Sequence, residues 1–305
     1  MSRLHPQSVA ALELWSQGPA VGDPGFGAAD LAQMRAQARE EAAREPRDAV
    51  ERVQDVDADG VPCRLYVPAG AERTLVYLHG GGFVLGDLDT HDAQSRRLAV
   101  RTGSAVLAVD YRRPPEHPFP AAPDDVATAV GWLLANAGAL GLDRDRVVTV
   151  GDSAGGNLAL VAALDLPGAL AATVLVYPFL DPATAAASYD RTDGGLTRAD
   201  ATWFWEQYGV AGLDPVDTSD DWRFAPLSAP STALASVPPT LVQVAACDVL
   251  VDEDHELVRK LEAAGVGVEL ATYPGMVHGF WRHPELFDDV EDALEDVRRF
   301  LDRHV

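Results

Sequence analysis

Lysine is almost absent from this chain. Of 305 residues only Lys260 is a lysine, and 24 basic side chains face 47 acidic ones, for a formal charge of −23. A surface so poor in positive charge repels nucleic acid and anionic membranes and disfavours polyanionic substrates. A salty habitat or a compositional habit of the genome would give the same excess, so it reads first as a solvated surface. Cysteine is nearly missing too. Cys63 and Cys247 cannot make a disulfide framework, they fit a reducing compartment, and neither belongs to a cluster with metal-ligand spacing. Cys247 reads as a buried thiol at a strand end. No apolar run approaches the roughly 18 to 20 residues of a membrane span. Met1–Gln7 lacks a basic region followed by an apolar core, so no secretory signal is read and a cytoplasmic location is expected. There is no internal repeat and no low-complexity linker. The sequence therefore calls for no metal, no organic cofactor and no nucleic-acid partner; it points to a small-molecule ligand and leaves a homodimer open.

What is present is an alternation of strand-like and helix-like runs. Strand patterns fall at 51–57, 61–67, 74–78, 105–110, 146–150, 173–177, 240–246 and 268–273, and helical ones at 92–102, 124–137, 153–164, 252–264 and about 284–303. From the third strand onward the alternation implies crossover connections and a mainly parallel sheet. Asp59-Gly60 between the first two marks a hairpin, so the sheet should begin antiparallel. The fold class is α/β, one domain over 1–305. Residues up to about 48 read as helices broken near Gly22-Asp23-Pro24-Gly25, and about 181–224 interrupt the alternation. That insert carries Trp203, Phe204, Trp205, Tyr208, Trp222 and Phe224. With the N-terminal segment it is placed to cap the C-terminal edge of the sheet, where open α/β folds bind ligands. Gluing the insert to the body is an equally weighted role for these rings.

The chemistry is carried by Gly151-Asp152-Ser153-Ala154-Gly155, which stands between a strand and a helix. Small residues around Ser153 permit the sharp turn that lifts its hydroxyl above the sheet edge, and the new helix aims its N-terminal amides at charge developing there. Serine is a weak nucleophile at neutral pH, so the motif needs a base and an oxyanion site. His79-Gly80-Gly81-Gly82-Phe83 follows the third strand, where esterases and lipases with a G-x-S-x-G elbow place half of the oxyanion hole; the N–H after the nucleophile, here Ala154, supplies the other donor. His79 precedes the nucleophile and reads as a loop brace. In the chain order nucleophile, acid, histidine, Asp248 stands at a strand end, while Asp252, Glu253 and Asp254 read as an acidic first helical turn favoured by the helix dipole. Of the later histidines, His278 lies in a turn-rich loop after the last strand and is chosen as base, with His283 its rival.

Taken together, these motifs resemble the hormone-sensitive-lipase family of α/β-hydrolases, in particular bacterial esterases. The resemblance runs through the His79–Phe83 loop, Gly86–Asp92, Asp110-Tyr111-Arg112, Pro115–Ala122, the 151–157 elbow, Asp248-x-Leu250-x-Asp252-Glu253 and His278-Gly279-Phe280. It implies the α/β-hydrolase fold with a helical cap, Ser153 as nucleophile, Asp248 as acid, His278 as base, and Gly81, Gly82 and Ala154 as oxyanion donors. Two departures are visible. Val249 stands where the family usually has proline, which would loosen the turn at the acid, and Arg113-Pro114 replaces the usual leucine-alanine, which would change the polarity near the site. Glu116-His117 reads as loop bracing and not as an acid–base pair.

The reading is a carboxylic-ester hydrolase acting through an acyl-enzyme. The resemblance suggests a short, capped acyl pocket, with Phe83, Trp203 and Phe204 as walls. The alternatives are a ligand-binding receptor, which typically loses part of such a triad, and an acyltransferase or lyase on the same scaffold.

Overall fold

The computed structural model describes residues 3–18, 20–209, 218 and 220–305. Eight strands form one sheet in the order β1-β2-β4-β3-β5-β6-β7-β8. They are β1 Arg52–Ala58, β2 Val61–Val67, β3 Thr74–Leu78, β4 Ala105–Val109, β5 Val147–Asp152, β6 Ala172–Val176, β7 Thr240–Ala245 and β8 Val268–Tyr273. The opening hairpin is antiparallel, with Ala58 opposite Val61. Asp59 and Gly60 take φ of 54° and 95° in the two-residue turn, the left-handed pair that matches strand twist. β2 meets β4 antiparallel, and every later pairing is parallel. Strands β3 to β7 are buried along their whole length. That explains their continuous apolar runs, because a parallel sheet is covered on both faces.

Among the described residues the helices are α1 Pro6–Trp15, α2 Ala28–Ala42, α3 Asp92–Thr102, α4 Ala121–Leu140, α5 Ala154–Asp165, α6 Arg198–Tyr208, α7 Ser231–Leu234, α8 Val251–Ala263 and α9 Asp289–His304. One core layer joins α4, α5 and α8 to the sheet through Val126, Leu158 and Leu257. The opposite layer uses Leu98 of α3 with Val290, Leu294 and Val297 of α9. The predicted helix at 124–137 is longer in the structure, and the last one begins only at Asp289, because 283–287 is loop.

Asp252, Glu253 and Asp254 form the acidic first turn of α8, as the sequence predicts. Glu253 and Asp254 are nonetheless 2% and 0% exposed. Glu253 accepts the Leu180 N–H at 2.8 Å and the Tyr189 hydroxyl at 3.1 Å. Neither oxygen of Asp254 has a hydrogen-bond partner among the described residues. Burial, then the neighbouring carboxylates, pushes both groups well above the usual carboxylate range.

The N-terminal helices and the insert meet each other and the sheet's C-terminal edge. Phe26 packs edge-on against Trp203 at 5.3 Å, and Gly22 N–H donates to Asp200 at 2.9 Å. From α2, Arg35 reaches the Val84 and Pro114 carbonyls and pairs with Glu116 at 2.7 Å, while Arg39 pairs with Asp87 at 2.5 Å. Glu116 is thus a brace for α2. The insert's aromatics divide between two roles: Trp205, Tyr208 and Phe224 are buried against Phe83, Phe119 and Phe179, while Phe204 faces the cavity described next.

Candidate active site

Where β5 ends and α5 begins, the chain reverses within one residue. Ser153 sits at φ 55° and ψ −120°, a conformation that costs a non-glycine residue on the order of 1–3 kcal/mol and persists only where the surroundings enforce it. Here they do. Ser153 N–H donates to the Val176 carbonyl at 2.9 Å, and its own carbonyl accepts the N–H of Asn157 and of Phe179, each at 3.1 Å. The Asn157 amide ties the turn to the Phe179 and Phe224 carbonyls at 2.9 and 3.3 Å. Gly155 is required by contact: a methyl there would fall on the Leu78 carbonyl of the neighbouring strand.

Three chain segments converge on this hydroxyl. His278 Nε2 lies 2.9 Å from Ser153 Oγ, and His278 Nδ1 lies 2.7 Å from Asp248 Oδ2. Asp248 is fully buried beyond the end of β7, and its other oxygen accepts the Leu250 N–H at 3.1 Å. The valine at 249 does not loosen this turn. The Asp248 N–H donates to Ala245 at 3.1 Å, and the Ser188 hydroxyl holds the Val249 carbonyl at 2.5 Å. The His278 backbone N–H is anchored on the Gly194 carbonyl of the insert at 2.9 Å. His283 is 3.0 Å from Glu285 and packs on Trp15. Among the described residues it makes no hydrogen bond to Ser153 or Asp248, so the triad geometry belongs to His278.

The glycine loop after β3 faces the same space. Gly81 and Gly82 have φ of 112° and 58°, and among the described residues no backbone carbonyl takes either N–H. A methyl on Gly82 would fall into the Phe204 ring. Both glycines line a cavity of about 270 Å3 together with Ser153, Tyr177, Phe179, Leu196, Phe204, His278 and Arg282. Ala154, fully buried at the first position of α5, completes the predicted donor set. Of the predicted walls only Phe204 lines the cavity. Phe83 is a correction: it is fully buried and stacks on Tyr208 at 3.7 Å. Trp203 is another, since it packs against Phe26 and lies off the cavity wall.

Behind the loop stands a polar layer. His79 is sandwiched between Tyr111 at 4.3 Å and His91 at 4.9 Å. Burial, helped by the Arg113 charge, pushes its pKa down to about 3, so the ring is neutral and serves as a brace. Burial likewise lowers His91 well below its usual value. Asp152, next to Ser153, accepts the Tyr77 hydroxyl at 2.8 Å and the Gly80 N–H at 3.2 Å, tying the glycine loop to the elbow. Burial raises its pKa above the usual range. Arg113, the departure from the family pattern, pairs with Asp110 and with the Tyr111 carbonyl at 3.1 Å. It lines a side pocket of about 70 Å3 and not the main cavity. Asp152, His91 and Arg282 were not selected from the sequence, because each reaches the site through contacts between segments that no local pattern records. Among the described residues no three His, Cys, Asp or Glu side chains converge as metal ligands, and no helix is long and apolar enough to cross a membrane.

Residues 75–282 match a family described by the alpha/beta hydrolase fold. The ethyl acetate hydrolase of Pseudomonas putida is 38% identical over 261 residues, 82% of this chain and 80% of that one. The carboxylesterase NlhH of Mycobacterium tuberculosis is 39% identical over 229 residues, 72% of this chain and 71% of its own. The hyperthermophilic esterase of the archaeon Pyrobaculum calidifontis superposes with a TM-score of 0.87 at 32% identity, covering 98% of both chains. This chain belongs to the α/β-hydrolase family, in its hormone-sensitive-lipase type. Its activity is that of a serine carboxylic-ester hydrolase.

Proposed function

We propose that the chain hydrolyses esters of short acyl chains, with Ser153 as nucleophile, His278 as base and Asp248 as the acid that orients it. The observation that carries this reading is the continuous hydrogen-bonded relay, 2.9 Å from Ser153 Oγ to His278 Nε2 and 2.7 Å from His278 Nδ1 to Asp248. His278 takes the hydroxyl proton as Ser153 Oγ attacks the ester carbonyl. The tetrahedral oxyanion is held by the N–H groups of Gly81, Gly82 and Ala154. Collapse passes the proton to the departing alcohol, and a water molecule repeats the sequence on the acyl-enzyme to release the acid. The buried Asp248 carboxylate stabilises the imidazolium at both stages. We assign residues up to about 48 and about 181–224 to a cap, supported by the Phe26–Trp203 contact and by Ala38, Leu196 and Phe204 on the cavity wall.

Size supports the short-acyl reading. A cavity of about 270 Å3 lies at or below the low end of small-molecule sites, so it leaves little room for a long chain. The test is kcat/KM across a graded series of p-nitrophenyl esters. The expected optimum lies at acyl lengths of about two to six carbons, because each further methylene lacks buried room. A continuous rise toward long-chain emulsified esters would replace this reading with a lipase.

A further inference from the structure

The catalytic cavity carries one charge that ester hydrolysis does not use. Gly279, at φ 82°, turns the chain after His278, and a single 3-10 turn over Phe280–Arg282 brings Arg282 onto the same cavity wall as Ser153. One guanidinium nitrogen donates to the Thr90 carbonyl at 2.5 Å. Among the described residues, Glu45 is the one carboxylate within ion-pair range, at 3.8 Å and itself 37% exposed, and the Arg282 side chain keeps 26% of its surface open. The arginines of the adjoining side pocket differ: Arg35, Arg39 and Arg113 are held by Glu116, Asp87 and Asp110.

The cavity wall has little negative charge of its own to offset this guanidinium. Asp152 is the sole carboxyl among its lining residues, and its Oδ1 accepts both the Tyr77 hydroxyl and the Gly80 N–H. Burial raises its pKa against the opposing pull of the Tyr77 hydrogen bond and the Arg282 charge. His283, also on the wall, is paired with Glu285. Thus a chain with a net charge of −23 lines its catalytic cavity with an arginine in weak ionic contact.

We propose that Arg282 is an anion subsite within the catalytic cavity, and that the substrates of this enzyme include esters bearing a carboxylate. A guanidinium offers a planar pair of donors that matches a carboxylate. The acidic surface acts outside the cavity and is screened over about 8 Å at physiological ionic strength, whereas a bound substrate meets Arg282 directly. The proposal rests on the ester-hydrolase reading of this cavity and names its substrate class.

The experiment compares monoethyl succinate with ethyl levulinate, which present a carboxylate and a methyl ketone at the same place, in about 0.5 M NaCl to suppress long-range repulsion. The readout is the ratio of kcat/KM for the anionic ester to that for the neutral one, in wild type, Arg282→Lys and Arg282→Gln. The wild-type ratio is expected at about one or above. Arg282→Gln should lower it about tenfold or more, chiefly through KM, with Arg282→Lys in between. A purely structural role in holding Thr90 would depress both esters alike and leave the ratio unmoved. An Arg282→Gln ratio within about threefold of wild type overturns the subsite. Should that variant fail to fold, the wild-type ratio decides, above about one-third in favour and below it against. Failure of the ester-hydrolase reading looks different, because neither ester would then be turned over by wild type.

Discussion

Replacing Asp248 by asparagine changes one atom of the proposed relay and separates two roles that its neighbourhood mixes. The carboxylate is fully buried and lies 2.7 Å from His278 Nδ1. As His278 takes the serine proton, the new imidazolium stands beside that negative charge. At an effective dielectric of about 20 and a charge separation of about 4 Å, the attraction is about 4 kcal/mol, close to a thousandfold in rate. Asparagine removes it. Its amide, facing Nδ1, also favours the tautomer with the proton on Nε2, so the nitrogen facing Ser153 becomes a donor and cannot act as base. The combined loss in kcat should approach 10⁴-fold. The assay is initial-rate hydrolysis of p-nitrophenyl acetate, with urea unfolding run alongside. Asp252→Asn is the control, because Asp252 contacts the Ser188 N–H at 2.8 Å and not the imidazole. It should lose on the order of 1 kcal/mol of stability and little activity. An Asp248→Asn enzyme that is folded and within tenfold of wild type, or an Asp252→Asn enzyme crippled in turnover, refutes the assignment of the acid.

Ser153→Ala should leave a folded protein whose ester turnover is down by about 10⁴-fold or more; retention of a tenth of wild-type activity would exclude Ser153 as nucleophile. Gly82→Ala puts a methyl into the Phe204 ring at a left-handed backbone position, and kcat should fall while Gly82→Ala/Phe204→Ala recovers part of it. Asp254 is held above the usual carboxylate range when folded, so the folded state binds its proton more tightly than the unfolded state does. That stability contribution is complete below the unfolded pKa of about 3.8 and is lost as pH rises through the folded value. Asp254→Asn removes this dependence, and its stability relative to wild type by urea unfolding should improve as pH rises above about 4 and level off beyond the folded value; a constant difference would show the carboxyl is not perturbed. Prolonged dialysis against a chelator should leave esterase activity intact, and loss restored by a divalent ion would contradict the proposed mechanism.

The elbow was legible because its requirements are local. Strand, small residues and helix follow one another within 147–165, and only the contact of Gly155 with the Leu78 carbonyl one strand away lies beyond that window. Chain order then singled out Asp248 and His278, since each follows a strand that ends at the same edge. The cavity wall was not legible. Residues from α2, the glycine loop, the insert and the segment after β8 compose it, and no single window of sequence records which face of each segment turns inward. Trp203 and Phe204 are neighbours with opposite fates, and Phe83 turns into the core beside Gly82, which lines the cavity. Glu253 and Asp254 do form the acidic first turn read from the sequence, but their burial was not legible there, because it comes from distant residues such as Leu180 and Tyr189, whose N–H and hydroxyl meet Glu253.

The segments we assign to the cap do more than enclose the cavity. The insert supplies the Gly194 carbonyl that anchors the backbone of His278, and its Ser188 holds both the Val249 carbonyl and the Asp252 carboxylate. From the N-terminal side, Arg35 grips Val84 and Arg39 grips Asp87, both in the segment that directly follows Gly81 and Gly82. The loops of Asp248, His278 and the two glycines thus each carry a contact from outside the sheet. A strained serine on a buried strand end needs its partners placed to within a fraction of an ångström, and loops alone would not hold them there. Substrate enclosure and catalytic geometry are therefore coupled in this chain, so a change in the cap that opens the cavity also disturbs kcat and not only the choice of ester.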